Sequence, residues 1–253
     1  GGRRMSTRVV LVRHGDRYDY ANIDAWRARC AQHGISPVDP PLSSLGHQQA
    51  RQTASAVKEF APDIILCSPY LRVLQTAQPL AHLLGLTIHV DDALAEFRHN
   101  PAMMPGIASR LAVFPEVSDT YDPILKLTED GAESEESYFQ RMFLLAKEIP
   151  IRYHGKTVAL FSHAASVALV AALLRSTTLS GAGTFAPCGI FSLVTHDAGR
   201  TWKVESRGDS NEPYVTHNAP TTYAWGFQHS RLATTLEAIW TSVLNRVAAF
   251  DES

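Results

Sequence analysis

The stretch Arg8-Val9-Val10-Leu11-Val12-Arg13-His14-Gly15-Asp16-Arg17 passes from an unbroken aliphatic run to charged residues in a single step. A short apolar run without alternation reads as a strand buried on both faces, of the kind that parallel sheets covered by helices contain. Residues 8–12 then form the strand, and its C-terminal end delivers Arg13 and His14 to the sheet edge where open α/β folds bind ligands. The pattern returns twice: Asp63-Ile64-Ile65-Leu66-Cys67 gives way to Ser68-Pro69, and Thr157-Val158-Ala159-Leu160-Phe161 gives way to Ser162-His163.

Helical spacing fills the intervals. Ala50, Ala54, Val57 and Phe60 mark a helix over 43–60, with Ser43 or Ser44 as its N-cap. Ser68-Pro69 reads as a helix start with proline at the first position, the helix running to about Leu84, and a short strand is expected over 86–90. Tyr138, Met142, Leu145 and Ile149 give the buried stripe of a helix that starts near Ser134 and ends before Pro150. A further helix is predicted over 166–174. Residues 190–195 and 202–206 read as an antiparallel pair joined at Asp197-Ala198-Gly199, and a closing helix presents Leu232, Leu236, Ile239, Val243 and Val247 on one face. Residues 99–133, rich in proline and poor in periodicity, read as an irregular insertion or lid where substrate choice is expected to be set.

Composition narrows the classes. Residues 8–253 are read as a single domain, because a chain of 253 residues with 45% hydrophobic content can bury a substantial core. Residues 1–7 read as a tag remnant, Gly1-Gly2, and an N-terminal tail. A net charge of -2 gives no field that would draw the chain to nucleic acid or an anionic membrane. Cys30, Cys67 and Cys188 form neither a CxxC pair nor a disulfide framework, which fits a reducing compartment. The apolar runs fall short of a bilayer span, and the expected location is cytoplasmic, with the nucleus as the alternative. No spacing suggests a metal cage or a cofactor motif.

The residues that suggest chemistry fall together at strand ends: Arg13, His14 and Arg17 after the first, Arg72 after the second and His163 after a later one. Three guanidiniums and two imidazoles at one sheet edge repel one another unless an anion neutralises them. Guanidiniums bind phosphate oxygens in bidentate fashion and stay charged, and a neutral imidazole can attack phosphorus. His14 is therefore expected to be the nucleophile. A leaving oxygen needs a proton, which a nearby carboxyl could supply, and Glu96, Asp16, Asp91 and Asp92 are all candidates. Cys67 is read as a core thiol and His217 as a structural hydrogen-bonding residue.

Leu11-Val12-Arg13-His14-Gly15 resembles the signature of the histidine phosphatase, or phosphoglycerate-mutase-like, superfamily. Further matches follow in order: Leu42-Ser43, Gly46, Gln49 and Ala50; Ser68-Pro69, Arg72, Gln75, Thr76 and Ala77; Glu96; and Ser162-His163. Within the superfamily, Arg13-His14-Gly15-Asp16-Arg17 followed by Asp39-Pro40-Pro41-Leu42 is most similar to the suppressor-of-T-cell-receptor-signalling phosphatases and a subunit of fungal transcription factor IIIC. Thr216-His217-Asn218-Ala219 also resembles the tail of those phosphatases.

The resemblance implies a three-layer α/β/α sandwich on a mostly parallel sheet and a histidine acid-type phosphatase that needs no metal. It implies that His14 carries the phosphoryl group, that Arg13, Arg17, Arg72 and His163 bind phosphate, and that Glu96 donates the proton. The expected substrate is a phosphorylated small molecule or a phosphoprotein, and a homodimer is left open. Tyr20 stands where mutases and small-sugar phosphatases of the superfamily carry asparagine, and Ala164 stands where glycine is common. The first departure lowers the mutase and sugar-phosphate readings, while Tyr18, Tyr20 and Phe97 around the inferred pocket suit an aryl phosphate. The rival reading is a scaffold or interaction subunit that keeps the fold.

Overall fold

In the computed structural model, which describes residues 6–97, 108–127 and 132–251, the apolar runs form one six-stranded sheet. Its strands are β1 (Thr7–Arg13), β2 (Ile64–Cys67), β3 (Ile88–Val90), β4 (Thr157–Ser162), β5 (Ile190–Thr195) and β6 (Lys203–Ser206), in the order β3-β2-β4-β1-β5-β6. The pairs β1 with β4, β2 with β4 and β2 with β3 are parallel; β5 is antiparallel to both of its neighbours. Among the described residues the helices are α1 (Tyr18–Ala21), α2 (Ile23–His33), α3 (Ser44–Lys58), α4 (Leu71–Leu84), α5 (Ala108–Leu111), α6 (Glu135–Arg152), α7 (Val167–Leu173) and α8 (Ala233–Asp251).

Strand periodicity explains the layers. Val9 and Leu11 of β1 turn to one face, where they meet α6, α7 and α8 through Met142, Leu169 and Trp240. Val10 and Val12 turn to the other, against α3 and α4 through Ala54, Val57 and Leu74. With both faces covered, β1, β2 and β4 have no room for polar side chains until their C-terminal ends, so the site residues emerge together there.

Several boundaries move. The second helix of the α3/α4 layer begins at Leu71 with Tyr70 as N-cap, so Ser68-Pro69 precede it. Its first turn is capped from afar: the Leu71 N–H donates to Asp39 Oδ1 at 2.9 Å. The helix expected to stop before Pro150 runs through it to Arg152. The proline forfeits one backbone hydrogen bond, but its ring is buried against the β5–β6 turn, so close to Gly199 that a Cβ there would lie 2.5 Å from Pro150 Cγ. Leu232 precedes α8 and is exposed, while Leu236, Trp240 and Val243 carry the buried face.

The expected lid over 99–133 lies in part outside the described residues. Its described portion, 108–127, braces the sheet edge: Glu116 and Ser118 exchange backbone hydrogen bonds with Ile88 of β3, and Ile124 donates to buried Asp91. None of residues 108–127 lines the cavity beside the strand ends described next.

Candidate active site

Register brings the two histidines together. Arg13 is paired with Ser162 across the parallel β1–β4 ladder, so His14 and His163 are the next residues along both strands, and the His14 N–H donates to the Ser162 carbonyl at 3.0 Å. Their ring centroids are 5.4 Å apart at 69°. Both are buried, at 2% and 0% exposure.

The turn after β1 is held by residues of α3 and α4. Gly15 N–H donates to Thr76 Oγ1 at 3.2 Å and Asp16 N–H to Gln49 Oε1 at 2.9 Å, while the Ser43 N–H donates to the Asp16 carbonyl at 3.0 Å. Ser43 also caps α3 through Gly46 N–H at 3.0 Å. Gly46 is needed for close approach, because a Cβ there would sit 2.1 Å from the Asp16 carbonyl oxygen. His14 Nδ1 lies 2.8 Å from the Gly15 carbonyl. A carbonyl only accepts, so in the neutral ring Nδ1 carries the hydrogen and Nε2 keeps its lone pair.

The guanidiniums surround this ring. Arg13 is buried and donates through Nη1 to the carbonyls of Phe185 and Tyr223, at 2.5 and 2.9 Å. Arg72 is buried above the Tyr70 ring, its Cζ 4.6 Å from the centroid. Arg13 Nε and the Nε and Nη1 of Arg72 are buried donors without a hydrogen-bond partner. Arg72 Nη1 has only the longer ion pair to Asp39 Oδ1, at 3.8 Å, and buried N–H groups of this kind fit an oxyanion, whose oxygens would satisfy them. Arg17 differs: Asp19 takes it in a two-pronged ion pair at 3.0 and 2.7 Å, and it lies over Tyr20.

His163 is held on both ring nitrogens. Ser68 Oγ lies 2.8 Å from Nε2, and Arg72 Nη2 lies 3.2 Å from Nδ1. Glu96 Oε2 approaches the same Nδ1 at 3.6 Å, so the expected proton donor does reach the site. Its loop is pinned by buried Arg141, whose Nη1 donates to the carbonyls of Ala93 and Ala95 at 2.9 and 2.8 Å and whose other edge pairs with Glu133. The alternative acids are engaged elsewhere. Asp91 accepts from Ala93, Tyr121 and Ile124, Asp92 from Leu127, and Asp16 from Ser43.

Burial holds both imidazoles well below the ordinary histidine pKa, reinforced for His14 by Arg72 and Arg13 and for His163 by Arg72. Burial also lowers Arg13 and Arg72, yet a guanidinium retains its charge across the working pH range. For Arg17 burial acts downward, but the hydrogen bonds and charge of Asp19 win and the net shift is upward. The pocket is thus a cationic recess containing neutral imidazoles. Among the described residues no group of three or more His, Cys, Asp or Glu side chains is arranged to hold a metal ion.

Other expectations divide. Tyr20 and Phe97 line the cavity next to Arg13, but Tyr18 turns away and packs edge-on against Trp26, 6.4 Å between centroids. His217 is exposed, bonded to Thr216, and its carbonyl accepts from Gln49. Cys67 is a buried thiol whose pKa burial raises. Ser68, Tyr70, Asp39, Arg141 and Glu133 were not singled out for the site by their sequence context. Only Ser68 and Asp39 stood in the matched motifs.

Residues 9–209 match the sequence profile of the histidine phosphatase superfamily, branch 1. The chain belongs to this superfamily. Among curated relatives, the uncharacterized phosphatase PhoE of Bacillus subtilis is 30% identical over 161 residues, covering 64% of this chain and 74% of that protein. The transcription factor tau 55 kDa subunit of Saccharomyces cerevisiae is 31% identical over 153 residues, 54% of this chain but only 34% of the subunit. Among solved structures, the ecdysone phosphate phosphatase of Bombyx mori, in complex with tungstate, superposes with a TM-score of 0.65 at 22% identity, over 84% of this chain and 95% of that one. This histidine phosphatase superfamily member thus shares its fold with that enzyme. None of its helices among the described residues is long and apolar enough to cross a membrane.

Proposed function

We propose that the chain hydrolyses phosphomonoesters through a phosphohistidine on His14. The observation that carries this reading is the pair of buried imidazoles 5.4 Å apart, beside guanidiniums whose buried N–H groups include several that make no hydrogen bond. His14 Nε2 attacks phosphorus, the ester P–O bond breaks, and Glu96 protonates the departing oxygen. Water then attacks phosphorus as Glu96 takes its proton, the P–N bond breaks, and inorganic phosphate leaves with His14 regenerated. Arg13, Arg72 and His163 stabilise the charge on the equatorial oxygens, and Arg17 contributes from the rim. Relatives named as phosphatases support hydrolysis, while others, 36% identical over 88 residues, are named probable phosphoglycerate mutases.

Tyr20 and Phe97 beside Arg13 favour an aryl phosphate, free or on a phosphoprotein, as substrate. The cytoplasm is the proposed location. The test is His14→Ala: it should abolish turnover of p-nitrophenyl phosphate with the melting temperature retained, and the wild type should yield an acid-labile phosphoenzyme on rapid quench that the variant lacks. Turnover persisting in His14→Ala removes the mechanism.

A second reading is favoured by one observation, the match to a transcription factor subunit. As a scaffold, the chain would retain its partner binding in His14→Ala and show no hydrolysis in the wild type.

A further inference from the structure

The cavity that opens at Arg13, Arg17 and Glu96 extends well beyond the volume of a phosphate group. It encloses about 530 Å³, within the range of about 300–1,000 Å³ that takes whole drug-sized ligands. Its wall is a relay of rings in edge contact. Phe97 meets Tyr138 at 5.5 Å between centroids, Tyr138 meets Phe139 at 5.9 Å, Phe139 meets Phe227 at 5.8 Å and Phe227 meets Trp225 at 5.0 Å. At its border Tyr223 and Leu232 remain 63% and 55% exposed. Large apolar side chains left in water around a recess mark a surface that a ligand covers.

The charges of this recess are as informative. Its two cations, Arg13 and Arg17, belong to the phosphate end, and the other ionisable lining groups with charge are the carboxylates of Glu96 and Glu135. No further lysine or arginine among the described lining residues is present to neutralise a second anionic group. A leaving group bearing its own carboxylate or phosphate would therefore be desolvated beside carboxylates without compensation. An uncharged ring system meets no such penalty.

The wall and the phosphate site are also mechanically joined. The Tyr223 carbonyl accepts from Arg13, and Trp225 pairs with Phe185 through backbone hydrogen bonds of 2.7 and 3.1 Å, the Phe185 carbonyl being the other acceptor for Arg13. The segment that forms the apolar wall thus holds a guanidinium of the phosphate pocket.

We infer that residues 221–236, with the α6 face of Tyr138 and Phe139, form a leaving-group subsite for the phosphate ester of an uncharged, apolar, multi-ring alcohol or phenol. The inference rests on the phosphatase reading and specifies its substrate class. Phenyl, naphthyl and pyrenyl phosphate share a phenolic leaving group and differ in ring area, so they isolate the subsite. Across this series kcat/KM should rise by about tenfold or more, mainly through KM, and phosphoglycerate should be the poorest substrate. Trp225→Ala should lower the pyrenyl-to-phenyl ratio of kcat/KM by about tenfold. A flat series, or a ratio that Trp225→Ala leaves unmoved, overturns the subsite while leaving the phosphatase reading intact. Absence of turnover with all three esters overturns the phosphatase reading instead. In that event pyrenyl phosphate binding, read by its fluorescence, decides the subsite: binding weakened by Trp225→Ala supports it, and no binding removes it.

Discussion

Ser68 Oγ and His163 Nε2 lie 2.8 Å apart, a contact that the hydroxyl can make with either tautomer of the second imidazole. On the opposite edge of the ring Arg72 Nη2 faces Nδ1 at 3.2 Å, and a guanidinium can only donate. The neutral ring therefore bears its hydrogen on Nε2, and Ser68 accepts it. A hydroxyl can also donate, so Ser68 tolerates the opposite tautomer when Nδ1 turns its hydrogen to a phosphate oxygen.

Ser68→Ala leaves a fully buried N–H or lone pair without a partner. The expected cost is about 1–3 kcal/mol of stability, together with a fall in kcat/KM of about tenfold or more. Urea denaturation and steady-state kinetics check the two effects. Wild-type values in both would remove the orienting role.

Acid should destabilise the chain earlier than its carboxylates alone would cause. His14 and His163 have folded pKa values held well below 6.5 by burial and by Arg72, so below about pH 6.5 the unfolded chain binds more protons than the folded one. Stability from these groups is therefore complete above the ordinary histidine value and is lost as pH falls towards their folded values, by at most about 1.4 kcal/mol per pH unit for each ring. Replacing either histidine by Gln should flatten the stability profile between pH 6.5 and its acid limit. The same shifts keep the nucleophile neutral, so the acid limb of kcat/KM assigned to His14 should lie below the usual histidine range.

Glu96→Gln removes the proton donor and should act in proportion to leaving-group need. Loss of kcat should reach about 100-fold or more for an alkyl ester such as phosphoserine. It should be much smaller for p-nitrophenyl phosphate, whose leaving group departs without protonation. Equal losses on both esters would assign Glu96 to binding alone.

Arg141 acts on Glu96 from behind, through the carbonyls of Ala93 and Ala95 and the buried partner Glu133. Arg141→Met leaves the Glu133 carboxylate buried and unpaired, at a cost of about 3–5 kcal/mol. The double variant with Glu133→Leu should recover much of that stability by removing the orphaned charge. It should not recover alkyl-ester turnover, because the Glu96 loop stays untethered. Recovery of both would show that the pair serves stability only.

The strand ends were readable because each apolar run breaks off at the residue that leaves the core. His14 and His163 could thus be placed on the same edge from local pattern alone, whereas Glu96 was singled out only by its position in the family motif. Local rules failed where a distant partner intervened. Ser68 reads as a helix cap, but His163 claims its hydroxyl, and the cap of α4 comes instead from Asp39, more than thirty positions earlier in the chain. Pro150 reads as a stop, but burial of its ring at the Gly199 turn carries α6 onward. Tyr18 looked equivalent to Tyr20 until α2 supplied Trp26 as its neighbour. The rings of Tyr223, Trp225 and Phe227 in the aromatic wall left no periodic trace, because they stand on chain that precedes α8 and is shaped by what it packs against.

The central place of β1 has a consequence for biosynthesis. The first strand of this sheet to be made is flanked by β4 and β5, which begin at Thr157 and Ile190, so neither edge of its backbone finds a lasting partner until those distant segments have been translated. A nascent or truncated polypeptide ending before Thr157 exposes the unpaired aliphatic run Val9–Val12 and cannot hold an oxyanion. Completion of the sheet and birth of the pocket are one late, long-range event, which should make refolding slow and leave interrupted chains prone to aggregate.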